Sequence, residues 1–181
     1  SAIKNNDKVG LIIFSDRIEK FVPPRKGRAH VLRVLRELFY HRPEGRGTDI
    51  RGALEYLSRV IKRRAVVFLV SDFKAPRFEQ PLSVAGRRHD LIAVHLGDQR
   101  EAVMPALGYM EFEDAETGEL HTVNTADPRF RAEFEKRVAS ERAELGEIFR
   151  HSRVDTIDIE TDRPYVQPLM RFFKEREGRF R

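Results

Sequence analysis

The sequence predicts an α/β fold built on a mostly parallel sheet, and three observations carry that prediction. Continuous apolar, β-branched runs recur as "VGLIIF" (Val9–Phe14), "VVFLV" (Val66–Val70) and "DLIAVHL" (Asp90–Leu96), the pattern of strands covered on both faces. Stretches with apolar residues at helical spacing lie between and after them. From residue 28 the order reads helix, helix, strand, helix, strand, which is the alternation of a sheet flanked by helices.

Each element has a local reason. Val9–Phe14 is read as a buried strand that turns tightly through Ser15, Asp16 and Arg17 into an edge strand, "IEKFV" (Ile18–Val22), which Pro23, Pro24 and Gly27 then break. From Arg28, the positions Val31, Leu32, Val34, Leu35, Leu38 and Phe39 form the apolar stripe of a helix ending near Pro43. After an "EGRG" loop, Ile50, Ala53, Leu54, Leu57, Val60 and Ile61 share one helix face. Thr48 or Asp49 stands as its N-cap, and Lys62, Arg63 and Arg64 complement its C-terminal dipole. "FEQPLSVAGRRH" reads as a short helix with Pro81 in its first turn.

The stretch "YMEFEDAETGELHTVN", about residues 109–124, alternates Met110 and Phe112 with Glu111 and Glu113 ahead of Thr117-Gly118, and reads as a half-exposed β-hairpin inserted in the fold. A long helix starts at Asp127 or Thr125 and carries Phe130, Phe134, Val138, Leu145, Ile148 and Phe149. The strand "VDTIDI" and a last helix, "YVQPLMRFFKEREGR", complete the chain, with Phe172 and Phe173 read as core. The chain contains no internal repeat, low-complexity segment or linker, so one domain over 1–181 is expected.

Composition removes several functions. With no cysteine among 181 residues, a disulfide framework, a thiolate zinc site and a cysteine nucleophile are excluded. No apolar run reaches the roughly 18 residues of a membrane span, and "SAIKNNDK" lacks the apolar core of a signal peptide, so the expected location is cytoplasmic. The net charge of +5 is spread over a chain in which 35% of residues are charged. This is a mildly basic surface without the concentration that marks nucleic-acid binding.

The motifs narrow the field further. "GRGTDI" has neither the glycine spacing nor the lysine of a phosphate-binding loop. The histidines are scattered without metal-ligand spacing, and His95, inside an apolar strand, reads as a satisfied core residue. No G-x-S-x-G elbow is present. Arg25, Lys26, Arg28, Arg33 and Arg36 form the densest basic stretch and read as a solvated helix face, with an anion or nucleic-acid patch as the alternative. That leaves Thr48, in a loop entering a helix, and Asp72, just after a buried strand, where open α/β sheets bind ligands. Hydroxyl and carboxylate oxygens suit a hard cation such as Mg²⁺, although two ligands do not make a site.

The strand–turn–strand "DKVGLIIFSDRIEKFVPP", the "GTDI" that opens a helix and the "VVFLVSDF" that carries Asp72 resemble von Willebrand factor A-like domains, in particular the bacterial family called domain of unknown function fifty-eight. "EDAETGELHTVNTADPRFR" and "PLMRFFKER" are similar to that family's C-terminal features, so the resemblance covers essentially the whole chain. It implies a doubly wound, mostly parallel α/β fold that binds other proteins through a metal-ion-dependent adhesion site, using Mg²⁺ or Mn²⁺. In that pattern Thr48 matches the threonine and Asp72 the last aspartate, with Ser71, Asp49 and Phe73 near the strand-end face as partner contacts. The D-x-S-x-S that supplies the principal ligands is absent from these residues.

"NNDKVGLIIF" resembles the segment that comes after the family's first strand and helix, so the central first strand is expected to be missing. Either the strands Val9–Phe14 and Val66–Val70 pair directly, or another chain covers their edges, by self-association for example. The resemblance implies a non-enzymatic interaction module, metal-dependent in the intact protein, with a MoxR-type AAA+ ATPase or its client as partner. No metal, or only weak metal binding, is expected of these residues alone. The alternative is a basic nucleic-acid-binding α/β domain using Arg25 to Arg36. A metal-dependent hydrolase would need more carboxylates or a base near Asp72.

Overall fold

The computed structural model describes residues 6–98, 103–113 and 118–179. The chain divides into two compact units, Ser1–Lys62 with Ala75–Pro81, and Arg63–Lys74 with Leu82–Arg181.

In the first unit, β1 (Val9–Phe14) and β2 (Ile18–Arg25) form a two-stranded antiparallel sheet with Leu11 opposite Val22 and Ile12 opposite Phe21. β2 runs through Pro23 and Pro24 instead of stopping before them. Proline is tolerated there because β2 is an edge strand whose outer N–H groups need no partner, and the register is irregular next to Val9. Helix α1 (Arg28–Tyr40) packs on β1, and α2 (Ile50–Val60) packs on both strands. Asp49 caps α2, accepting from the Gly52 N–H at 2.9 Å, so the cap is Asp49 and not Thr48. Ile50, Ala53, Leu54 and Leu57 are buried, Val22 is fully enclosed, and Phe21 meets Tyr56 edge-on at 5.6 Å.

Two expectations fail here for physical reasons. The α1 stripe is mostly uncovered, since only Val34 is buried while Leu32, Leu35, Leu38 and Phe39 are exposed. Helical periodicity defines a face, but a second surface must be present to bury it. The basic triplet Lys62 to Arg64 falls beyond the end of α2 at Val60, leaving Arg59 as the basic residue of its last turn.

In the second unit, β3 (Val66–Ser71), β4 (Asp90–Gly97) and β7 (Asp155–Glu160) form a parallel sheet in the order β3-β4-β7. α3 (Glu79–Arg88), which begins in the first unit, buries Leu82 and Ala85. On one sheet face, Ile92, Val94 and Ile157 pack with Ile159, Leu169 and Phe172, the last two from α5 (Val166–Arg179). Arg176 of α5 straps that side by pairing with Asp90 and, at 3.5 Å, with Asp155. The opposite face carries Leu69, Ala93 and His95 and is covered by α4 (Pro128–Ser152), whose Phe149 meets Phe73 edge-on at 4.9 Å. Helices on both faces of a parallel sheet are the predicted α/β arrangement.

The inserted hairpin is present as β5 (Tyr109–Glu113) and β6 (Leu120–Asn124), with Tyr109 opposite Asn124. Its expected turn residue Thr117 lies outside the described residues, whereas Gly118 has the positive φ of 75° that glycine accommodates. The fully buried Thr125 fixes the hairpin's base, donating from its hydroxyl to the Gly108 carbonyl at 2.8 Å and accepting from the Leu107 N–H at 3.0 Å. α4 then starts with Asp127 as N-cap, accepting from the Arg129 N–H at 2.8 Å. Of its six expected apolar positions, Phe149 alone is buried.

The largest correction concerns β3. The run Val66–Val70 is buried on one face only: Leu69 is 7% exposed, but Val66, Phe68 and Val70 are 59%, 46% and 50% exposed. β3 is the edge of its sheet and pairs with β4, while β1 pairs with β2.

Candidate functional site

The C-terminal end of β1 is built by its tight turn into β2. Glu19, the second residue of β2, has a side chain only 4% exposed, and Oε1 accepts from the Ser15 hydroxyl at 2.6 Å, the Gly45 N–H at 2.8 Å and the Glu44 N–H at 3.2 Å. The hydrogen bond from Ser15, then that from Gly45, hold its carboxyl below the usual glutamate range. Ser15 also accepts from the Asp49 N–H at 2.7 Å through its carbonyl. These bonds draw the loop 41–49 onto the end of β1. A Cβ at Gly45 would run into the Ser15 hydroxyl and the Asp16 carboxylate, so this close approach requires glycine.

Thr48, half-buried, is thereby seated beside the end of β1, next to the α2 cap Asp49. Sequence reasoning named Thr48 but missed Glu19, the residue that positions its loop. A carboxylate between the apolar Ile18 and Phe21 was the available signal.

In the second unit, Asp72 comes directly after β3 and is exposed. Its Oδ1 accepts from the Lys74 N–H at 3.2 Å, while the Ser71 hydroxyl oxygen accepts from the Phe73 N–H at 3.1 Å. This double turn forces Phe73 into the left-handed region, at φ 59°, a conformation that is strained for a large side chain. The ring is held by burial: Phe73 is 5% exposed, against Phe149 and, at 6.3 Å, His95. Phe73 is therefore a core residue and not the surface contact expected. Ser71 is half-buried, and Asp49 is exposed.

Thr48 lies in the first unit and Asp72 in the second. Among the described residues, no three histidine, aspartate or glutamate side chains gather to hold a metal ion. With one carboxylate engaged in its own turn, one hydroxyl and no D-x-S-x-S, the residues present do not fit the adhesion-site ion. The basic candidates Arg25, Lys26, Arg28, Arg33 and Arg36 are all exposed, and Arg33 and Arg36 lie 3.9 and 3.7 Å from Glu37, with Lys20 at 3.2 Å from the same carboxylate. Glu37 thus offsets part of that charge.

The feature that remains unsatisfied is β3 itself. β3 and β7 are the two outer strands of this sheet, without a further strand partner among the described residues, and β3 carries the exposed apolar residues Val66, Phe68 and Val70 on the face beside α5. Phe68 continues the apolar surface to Phe173 of α5 at 6.3 Å. Phe173 shares the outer surface of α5 with Val166, Leu169 and Met170, and with the charged Arg171, Lys174 and Glu177. Phe172 is core as expected, whereas Phe173 is 44% exposed. No described helix is long and apolar enough to cross a membrane.

Comparison with known proteins places this architecture. The model of the family described as "Protein of unknown function DUF58" matches residues 1–144. An uncharacterized protein of Mycobacterium avium, MAV169, is 31% identical over 158 residues, 86% of this chain and 93% of that protein. The uncharacterized proteins Rv1480 of Mycobacterium tuberculosis and Mb1516 of Mycobacterium bovis are each 28% identical over 173 residues, 94% of this chain and 54% of theirs. The chain spans about half the length of those two relatives. No solved structure matches it. The family match and the Mycobacterium avium relative together show that this chain belongs to the DUF58 family.

Proposed function

We propose that this chain is a non-enzymatic protein-interaction module that takes up an extended segment of a protein partner as an added strand beside β3. The observation that carries this reading is the combination of an unpaired β3 edge with three exposed apolar residues, Val66, Phe68 and Val70. Backbone N–H and C=O groups on a sheet edge are satisfied in register by another strand, and the apolar row beside them rewards its cover. The continuation of that row to Phe173 gives the occupant a second apolar contact.

A MoxR-type AAA+ ATPase or its client is the partner we propose, consistent with the von Willebrand factor A-like character inferred from the strand-end motifs. In the intact protein, Thr48 and Asp72 would belong to a metal-dependent contact with that partner. The residues present here predict weak or no Mg²⁺ binding. Titration calorimetry should give no saturable heat at micromolar Mg²⁺. Micromolar affinity abolished by Asp72→Ala would overturn that part.

The binding experiment uses the purified chain and a MoxR-type ATPase, wild type against Phe68→Lys. Complex formation lost in the variant supports strand uptake at β3. Binding unaffected by the variant rejects β3 as the surface, and absence of binding rejects the ATPase. Light scattering on the free chain gives a monomer on this reading, whereas a dimer abolished by Phe68→Lys would make a second copy the occupant. Salt-sensitive binding to a nucleic-acid duplex, lost when Arg28 and Arg33 are neutralised, would favour the basic-domain alternative.

A further inference from the structure

A second feature of the sheet-bearing unit lies on the opposite face from α5. Between α4 and the ends of β4 and β7 is a cavity of about 290 Å³, near the lower bound of about 300 Å³ for small-ligand pockets. Its helix wall is the row Arg142, Gly146 and Arg150, spaced i, i+4 and i+8 and therefore stacked along one face of α4. Its sheet wall is His95, Thr156 and Asp158, and Leu145, Phe149 and Val154 supply the apolar lining.

Gly146 is the informative residue. It sits inside a 25-residue helix, where glycine costs about 1 kcal/mol relative to alanine. Close approach of a neighbour or a positive φ would explain it, but a Cβ at Gly146 would meet no atom within 4 Å, and its φ is not positive. The glycine leaves a notch in the helix surface between two guanidinium groups, open to the cavity.

The cavity is lined by two guanidinium groups and one carboxylate. Arg142 makes no close ion pair among the described residues, although after the hydrogen bond from His95 its charge also helps hold the Asp158 carboxyl below the usual aspartate range. Arg150 is paired with Glu147 on its own helix, a solvent-exposed partner that leaves part of its donor fork available. The one carboxylate lining the cavity, Asp158, is turned to the His95 ring, accepting from Nδ1 at 2.9 Å. This contact fixes the orientation of the imidazole.

We infer that this cavity binds a small oxyanion, a carboxylate or phosphate group, between Arg142 and Arg150 over the notch at Gly146. Planar guanidinium forks match the geometry of both oxyanions. The apolar lining of Leu145, Phe149 and Val154 suits a ligand with a short hydrocarbon body behind its charged group.

The test is an NMR titration of the full chain with sodium phosphate and, separately, sodium acetate, at ionic strength held constant with NaCl. Saturable shifts at Gly146 and His95 are expected with at least one anion, and the anion that saturates identifies the class. Arg142→Gln, at an exposed position, should weaken binding by about tenfold or more, the worth of a charge-assisted hydrogen bond. Gly146→Leu should abolish binding by filling open space, without lowering the melting temperature. Linear shifts with both anions, or saturable shifts unchanged in both variants, would overturn the assignment.

Discussion

Substituting the two faces of β3 separately gives the sharpest energetic contrast in the molecule. Leu69 is 7% exposed on the covered face, so Leu69→Ala should cost about 2–5 kcal/mol, the loss of transfer energy plus a residual cavity. Val66 and Val70 are 59% and 50% exposed, so the double change Val66→Thr with Val70→Thr should cost within about 0.5 kcal/mol per site. Fully burying a Val or Phe side chain gives roughly 1.5–3 kcal/mol. With about half of Val66, Phe68 and Val70 already covered, an added strand would gain roughly 2–4 kcal/mol from these three residues before the cost of ordering it. Urea unfolding monitored by circular dichroism measures both variants, with an unchanged m-value as the sign that only stability has moved. A threonine double variant losing more than about 2 kcal/mol in the isolated chain would mean that this face is covered within the chain itself, and the reasoning would fail.

Two further outcomes concern the β1 turn. The depressed carboxyl of Glu19 contributes stability that is complete above its ordinary value of 4.5 and is lost as pH falls through its lowered value. Glu19→Gln should therefore flatten the acid limb of the stability curve below about 4.5, and an acid limb identical to wild type would refute the clamp. Gly45→Ala should destabilise by about 1–3 kcal/mol, because the hydroxyl of Ser15 is held by Glu19 and cannot give way easily. A neutral result in thermal denaturation would show that loop 41–49 can lift off β1.

The order of helices and strands was legible because apolar spacing records it directly. Spacing does not record the presence of the opposing surface. "VVFLV" has the composition of a doubly covered strand, yet Val66, Phe68 and Val70 are exposed because their face of the sheet is left incompletely covered at β3. Leu35 and Leu38 on α1 are exposed for the same kind of reason. Sites assembled from distant residues were equally hidden. Glu19 meets Gly45 across 26 positions, and His95 meets Asp158 across 63. His95 is satisfied, as its strand position suggested, but it lines a cavity instead of the core. Thr48 and Asp72 were visible because one stands just before a helix and the other just after a strand, positions that sequence order alone locates.

The central claim is that the β3 edge is open in the free chain and closed by a partner strand. Amide hydrogen exchange resolved residue by residue over Val66–Ser71 tests it most directly, because successive N–H groups of a strand point to opposite edges. Alternate amides should exchange slowly, held by β4, and quickly, facing out, with the fast set becoming slow when the MoxR-type ATPase binds. Uniformly slow exchange along β3 in the monomeric chain, or a fast set that partner binding leaves unprotected, would contradict the account.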